Sequence, residues 1–180
     1  MIKHISDKYY LRYVKITDAK DIFEFASDYE VVKYLTWQPH QSIEETKNII
    51  NNLYLKPENN LPPHYVIVDS ELNKVIGVIS FYSAPAHTPP FPHIGYFLSK
   101  KYWNKGVMTK ALHTVLEIGF NILNFDCIAI SHQDNNLASK KVILNNKFKY
   151  IRTYQNIYLA NLDKFVNTYY YELRKEEYNE

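Results

Sequence analysis

The feature that most constrains the fold of this chain is a change of hydrophobic period between residues 94 and 122. Residues 94–98 read IGYFL, a short, weakly alternating run that predicts a strand. Residues 99–105 are polar and basic, as a loop would be. From Val107 onward, apolar residues recur every three or four positions, which predicts one buried face of a helix that ends near Leu123. A strand, a basic loop and the start of a long helix therefore follow one another.

Gly106 lies where this loop meets the first helical turn, close to Lys100, Lys101 and Lys105. A glycine lets a ligand approach the backbone closely, and the first N–H groups of a helix have no acceptor inside it. The helix dipole adds roughly half a positive charge at this end. The stretch therefore predicts a place to hold a phosphate group, although one glycine between lysines before a helix is more often an ordinary turn.

Length and charge exclude several classes of protein. With 180 residues, the chain has the usual size of one domain, and we expect residues 1–180 to form it. A net charge of +2 argues against a dedicated nucleic-acid binder. The single cysteine, Cys127, excludes an internal disulfide, and no cluster of metal-ligating residues surrounds it. In the absence of a leader pattern or an apolar run of ~18 residues, we expect a soluble cytoplasmic protein that does not act on membranes, either a monomer or a homodimer.

The patterns along the chain predict a mixed α/β fold. Helices are predicted at residues 19–27, 43–55, 107–123 and 138–146. About seven strands are predicted, at residues 9–16, 65–69, 75–82, 94–98, 127–131, 148–157 and 165–174. The helix between the strands at 94–98 and 127–131 has the length of a crossover, which predicts that these two strands run parallel. The sequence thus favours a mostly antiparallel central sheet with helices on both faces.

Three blocks of sequence carry a resemblance to a known family. They are IGY at residues 94–96, WNKGVMTKA at 103–111 and NLAS at 136–139, and YELR at 171–174 agrees with them. In this order and spacing, the chain resembles the GNAT superfamily of acetyl-CoA-dependent N-acetyltransferases, over residues 11 to 176. More narrowly, it is similar to the Rim-type branch, which acetylates the N-termini of ribosomal proteins. The resemblance implies the GNAT fold, with the pantetheine arm of acetyl-CoA between the strands at 94–98 and 127–131, which splay apart.

The resemblance also implies which residues bind the coenzyme. The backbone of residues 103–109 would cradle its pyrophosphate at the helix start. The full implied set is Tyr96, Phe97, Leu98, Trp103, Asn104, Lys105, Gly106, Val107, Met108, Thr109, Asn136 and Ser139.

Three residues depart from the family pattern. Asn104 and Lys147 stand where glycine is usual, and Met108 stands where the family prefers glycine or alanine. Gly106, the position that needs the closest approach, is kept, so we expect coenzyme binding to survive. The change at Lys147 bears on a turn, and we expect it to affect stability more than chemistry.

Transfer of an acetyl group to an amine requires the amine to be neutral. An α-amino group with a pKa near ~8 is about one tenth neutral at pH 7, which costs roughly 1.4 kcal/mol, whereas a lysine with a pKa near ~10.4 costs roughly 4.6 kcal/mol. This favours a protein N-terminus as the acceptor, with a small amine such as an amino acid, polyamine or drug as the alternative. A second class of function is a binding module that keeps the fold and senses coenzyme A or a peptide without turnover.

His93 is the first candidate for the general base, because an imidazole titrates in the right range and many family members carry a glutamate there. The alternative is a histidine at a strand edge that faces solvent. His87, on the preceding loop, is a weaker candidate, and His132 is expected to be structural.

Ser139 is the candidate for the acid, since the resemblance implies a serine that can reach the coenzyme sulfur, and the family's usual tyrosine is replaced by Ile143. The alternative is an ordinary polar residue in the first turn of a helix that Asn136 caps. Asn136 is predicted to cap that helix, to bind the pantetheine arm, or both.

By analogy with the family, the acceptor side would be lined by Trp37, His40, Tyr82 and His87, although aromatic residues there are as often plain packing.

Overall fold

A computed structural model describes residues 1–56 and 58–179. They contain one mixed sheet whose strands are β1 (Ile2–His4), β2 (Tyr9–Tyr13), β3 (Tyr65–Asp69), β4 (Lys74–Tyr82), β5 (His93–Leu98), β6 (Cys127–Gln133), β7 (Lys149–Leu159) and β8 (Lys164–Arg174). The eight strands lie in the order β1-β2-β3-β4-β5-β6-β8-β7. Neighbouring strands are antiparallel except β5 and β6, which run parallel. The predicted fold class is confirmed.

The helices lie on both faces of the sheet. They are α1 (Ala19–Ala26), α2 (Tyr29–Val32), α3 (Ile43–Ile49), α4 (Val107–Glu117), α5 (Leu137–Asn145) and α6 (Lys175–Tyr178). Helices α3 and α4 each continue into a wider π-helical turn, at Ile50–Tyr54 and Ile118–Ile122. The side chains of β3 alternate between two cores, since Ile67 packs with α4 on one face while Val66 packs with α1 on the other.

Two differences from the sequence prediction lie at the N-terminal edge of the sheet. Strand β1 was not predicted, because three residues are too few to show a period. Strand β2 ends at Tyr13 and not at Ile16, because residues Ile16–Asp18 form a 3-10 turn. The Asp18 carboxylate holds that turn, accepting a hydrogen bond of 2.7 Å from the Lys15 N–H and pairing with Arg12 at 2.8 Å.

The sheet opens between its two central strands. Strands β5 and β6 pair at only two positions, His93 with Ala129 and Ile94 with Ile130, next to a bond of 2.9 Å from the Ala129 N–H to the Pro92 carbonyl. Beyond Ile94, β5 continues to pair with β4 as far as Leu98, and β6 continues to pair with β8 as far as Gln133. The splay that the resemblance implied is therefore present.

Candidate functional site

The loop that leaves β5 contains a short 3-10 turn, Lys100–Tyr102, and two aromatic residues at the end of this turn hold the loop in place. The indole N–H of Trp103 donates to the carbonyl of Leu98, the last residue of β5, at 2.8 Å. The hydroxyl of Tyr102 donates to the Asp69 carboxylate at 3.1 Å. These two bonds hold the loop against the ends of β5 and β3, so its backbone has one defined path into α4.

Gly106 occupies the N-cap position of α4 with a φ of +72°, the left-handed region that favours glycine. A Cβ built on this residue would meet no atom within 4 Å. The first bond of the helix runs from the Lys110 N–H to the Gly106 carbonyl, at 3.2 Å. The N–H groups of Val107, Met108 and Thr109 therefore precede that bond and have no acceptor inside the helix. This turn is open on the side where an anion would lie.

The departures from the family pattern do not close this turn. Asn104 has a φ of +59°, the conformation for which a glycine would otherwise be used, and asparagine is one of the few residues that visit it routinely. The Met108 side chain is only 6% exposed and packs into the core beneath the helix, not over its N-terminus. Lys147 also adopts a positive φ, +63°, although it lies in the separate turn before β7.

A polar pair bridges the opening in the sheet. The hydroxyl of Tyr96, which lies on β5 beyond its last pair with β6, is 2.9 Å from the Ser139 hydroxyl in the first turn of α5. Burial raises the pKa of the Tyr96 phenol well above its ordinary value of 10.0, which keeps it protonated. The Asn136 side chain accepts a hydrogen bond from the Ser139 N–H at 3.2 Å, so Asn136 does cap α5. Tyr96 was expected only to bind the coenzyme, and its bond to Ser139 was not foreseen.

His93 is fully buried, so the alternative of a solvent-facing histidine is wrong. Its Nδ1 atom lies 3.0 Å from the carbonyl of Phe91, and because a carbonyl only accepts, Nδ1 carries the proton. The Nε2 lone pair is left without a hydrogen-bond partner among the described residues. The rings of Tyr82 and Tyr170 flank the imidazole, with centroids at 5.5 and 5.6 Å. Burial lowers the pKa of His93 below 6.5, so the imidazole is neutral at pH 7.

The other two histidines of the catalytic hypotheses have different surroundings. Both ring nitrogens of the buried His132 are engaged, Nδ1 by the Gln133 carbonyl at 2.9 Å and Nε2 by the Tyr171 hydroxyl at 3.0 Å. This environment suits the structural role expected for His132. His87 is exposed on the loop before β5, and its ring meets Tyr154 edge to face with centroids 5.0 Å apart.

Of the residues expected on the acceptor side, His40 is 3% exposed, which leaves no surface for a substrate. Its Nδ1 atom is 2.9 Å from the Thr46 hydroxyl, and its ring packs against Trp37. Trp37 also meets Phe97 edge to face but stays partly exposed, so burial argues against an acceptor role for His40, whereas that role of Trp37 stays a prediction. Tyr82 is 36% exposed, and its ring would lie 3.0 Å from a Cβ on residue 95, which explains the glycine of the IGY block.

A polar cleft of about 500 Å³ lies near the open end of the sheet. One wall is α2 with the turn that follows it, the second is the end of β6, and the third is the β7–β8 hairpin. The lining residues are Tyr29, Lys33, Tyr34, Gln133, Asp134, Asn135, Asn156, Lys164, Phe165, Val166 and Asn167. None of them was a candidate in the sequence analysis. They come from three distant segments, and no local pattern marks them as neighbours.

Within the part of the chain that the structure describes, no three histidine, cysteine, aspartate or glutamate residues are grouped so that they could hold a metal ion. The described helices include none with both the length and the apolar composition needed to cross a membrane. The thiol of Cys127 is buried 4.0 Å from the Glu172 carboxylate, and burial raises its pKa to about 11, so it is not a reactive nucleophile.

Residues 8–149 match the model of the acetyltransferase (GNAT) domain. The uncharacterized N-acetyltransferase p20 of Bacillus licheniformis is 26% identical over 174 residues, 93% of each chain. Among solved structures, RimL, a ribosomal L7/L12 α-N-protein acetyltransferase in complex with coenzyme A, superposes with a TM-score of 0.83 at 20% identity, covering 98% of this chain and 99% of that one. Spermidine N-acetyltransferase from Vibrio cholerae, in complex with coenzyme A and spermine, superposes with a TM-score of 0.80 at 15% identity, covering 97% and 100%. At 20% and 15% identity, the likeness to these two structures establishes the fold of this chain alone. The domain model matches well over half of this chain. The chain therefore belongs to the GNAT acetyltransferase family, whose cosubstrate is acetyl-CoA.

Proposed function

We propose that this N-acetyltransferase transfers the acetyl group of acetyl-CoA to the α-amine of a protein N-terminus, directly and within a ternary complex. The observation that carries the proposal is the open turn at Gly106, where the first N–H groups of α4 have no acceptor among the described residues and follow the loop that leaves β5 at the gap in the sheet. RimL, which shares this fold, is named as an enzyme of that activity.

The coenzyme would bind from this turn into the gap. The N–H groups of Val107, Met108 and Thr109 would donate to its pyrophosphate, and the exposed Lys100, Lys101 and Lys105 would contribute positive charge. The pantetheine arm would lie along the edge of residues 95–98 of β5, which do not pair with β6. When bound, acetyl-CoA supplies an activated acyl carbon and a thiolate leaving group.

The acceptor amine must lose a proton before or during attack, and His93 is our candidate for the base. Its Nε2 lone pair is free, and its lowered pKa keeps it unprotonated at neutral pH. Since His93 is buried, the amine or a bridging water would have to reach it from the gap in the sheet, between the rings of Tyr82 and Tyr170. A base whose pKa is lowered by burial is weaker than an ordinary histidine, which suits an α-amine better than a lysine side chain.

Ser139 is our candidate for the proton donor to the departing thiolate, and Tyr96 would support it. As the new C–N bond forms and the C–S bond breaks, the Ser139 hydroxyl would protonate the sulfur and take a proton from Tyr96, which solvent later restores. The distance of 2.9 Å between the two hydroxyls permits this exchange. In this arrangement, Tyr96 supplies from β5 the phenol that the replacement by Ile143 removes from α5.

Two alternatives follow from specific observations. The likeness of the fold to a spermidine N-acetyltransferase favours a small amine as acceptor. The complete burial of His93 favours a protein that binds coenzyme A or a peptide but turns over slowly, if at all.

One experiment separates these possibilities, with release of free thiol from acetyl-CoA as the readout. Short peptides with free N-termini are compared with the same peptides blocked at the N-terminus and with spermidine. We expect release with the free peptides only. Release with spermidine alone would establish the small-amine alternative, and calorimetric binding of coenzyme A without any release would establish the binding module.

A further inference from the structure

The polar cleft defined above has a charge and a position that specify the acceptor more closely, an inference that rests on the proposed N-terminal acetyltransferase function. Its walls carry the ammonium groups of Lys33 and Lys164 and the carboxylate of Asp134. Around them lie the side-chain amides of Gln133, Asn135, Asn156 and Asn167. Such amides can hydrogen-bond to the main chain of an extended peptide.

Two of the three charged groups in the cleft have side-chain partners, but only one of these contacts is an ion pair. Lys33 forms an ion pair of 2.9 Å with Glu30, and Asp134 accepts a hydrogen bond of 2.8 Å from the Asn167 amide. Lys164 is different, since the one hydrogen-bond partner of its Nζ atom among the described residues is the backbone carbonyl of Lys33, at 3.5 Å across the cleft. No ion pair among the described residues includes this half-buried lysine. The amide leaves the negative charge of Asp134 in place, and Lys164 is, among the described residues, the lining cation without a carboxylate partner.

The gap between β5 and β6 has its inner end at the last residue pair of these strands, and the cleft lies a few residues of strand away from it. Strands β5 and β6 last pair at Ile130, whereas the cleft begins at Gln133 and Asp134, three and four residues further along. At about 3.3 Å per residue of strand, this separation is roughly 10–13 Å. An acceptor whose amine reacts at the inner end would therefore place its third or fourth residue in the cleft, whereas a single amino acid would be too short to enter it.

We infer that the protein prefers N-terminal peptides with an acidic side chain at the third or fourth position, which pairs with Lys164. A polyamine long enough to reach the cleft would bring an ammonium group towards Lys164, where like charges repel, and among the lining residues only the Asp134 carboxylate would attract it. The exposed ring of Phe165 on the rim offers apolar contact to the side chains that follow.

The test uses three peptides of seven residues with the same free N-terminus, which carry two aspartates, two asparagines or two lysines at positions three and four. Thiol release gives kcat/KM for each. We expect the aspartate peptide to exceed the lysine peptide by about tenfold or more, and this ratio to shrink as salt rises, since screening weakens exposed charge pairs. Lys164→Glu should reverse the order of the two peptides.

Lys20→Glu is the matched control, because Lys20 is an exposed lysine on α1 that does not line the cleft. It makes the same change of charge and should leave the order as in the wild type. Equal rates with all three peptides, or an order that Lys164→Glu leaves unchanged, would overturn the inference while the proposed function stands. Activity with spermidine alone would overturn both.

Discussion

Substitution of Gly106 tests the coenzyme site, because three replacements separate backbone strain, bulk and charge. Any residue other than glycine must adopt the φ of +72° there, which costs roughly 1–2 kcal/mol. A Cβ meets no neighbouring atom, so no steric cost within the protein is added. For a chain of 180 residues, Gly106→Ala, Gly106→Gln and Gly106→Glu should therefore each lower Tm by about 2–8 °C without coenzyme.

The three variants should differ in their affinity for coenzyme A. The added side chain points into the open space that the pyrophosphate would occupy, so Gly106→Gln should bind more weakly than Gly106→Ala. Gly106→Glu adds a negative charge, and at about 4 Å from a phosphate its repulsion is about 1 kcal/mol in water and about 4 kcal/mol near a protein surface. The glutamate variant should thus bind about fivefold to about a thousandfold more weakly than the glutamine variant.

Titration calorimetry with coenzyme A at low and high salt measures both effects. The ratio between the glutamate and glutamine variants should fall towards one at about 1 M salt, where the screening length is about 3 Å. Thermal unfolding without ligand controls for loss of the fold. If all three variants bind coenzyme A as tightly as the wild type, the pyrophosphate does not lie at this turn, and the proposed site is refuted.

Four further predictions concern the proton transfers and a strained turn. Ser139→Ala should lower kcat by about a hundredfold while the affinity for acetyl-CoA, measured by calorimetry, changes little; equal losses in both would make Ser139 a binding residue. Tyr96→Phe should lower kcat by about tenfold in the same assay, and unchanged turnover would remove Tyr96 from the mechanism. His93→Ala should abolish the fall in rate that protonation of the base causes below pH 6.5, and an acid limb that persists in the variant would exclude His93. Lys147→Gly should raise the free energy of unfolding by about 0.5–1 kcal/mol, because glycine relieves the left-handed strain at φ +63° but makes the unfolded chain more flexible; urea denaturation that finds a less stable variant would contradict this account.

The sequence predicted the parts of the fold that have a local cause. The change of period after residue 98 located β5, the basic loop and α4, and the crossover length of α4 indicated the parallel pair. Asn104 and Lys147, which stand where the family usually has glycine, both have a left-handed φ, a conformation that the sequence analysis did not predict.

The surroundings of side chains could not be predicted, because they depend on segments far apart in the sequence. His93 is buried by Tyr82 from β4 and Tyr170 from β8, and neither contact leaves a trace near residue 93. Likewise, the cleft exists only because α2 and the β7–β8 hairpin meet over the end of β6, more than 100 residues apart. His40 was expected on the acceptor side because an exposed and a buried histidine look alike in a sequence, and its burial depends on contacts with Thr46 and Trp37.

Because two residue pairs join β5 to β6, the sheet consists of two parts, β1 to β5 on one side and β6, β8 and β7 on the other. The pantetheine arm of the coenzyme, bound between these two parts, would hydrogen-bond to backbone groups that the two strands leave unpaired. Amide protons on the outer half of β5 and on the last residues of β6 should then exchange with deuterium more slowly once coenzyme A is added. That change would register occupancy of the gap even for an amine that is never acetylated.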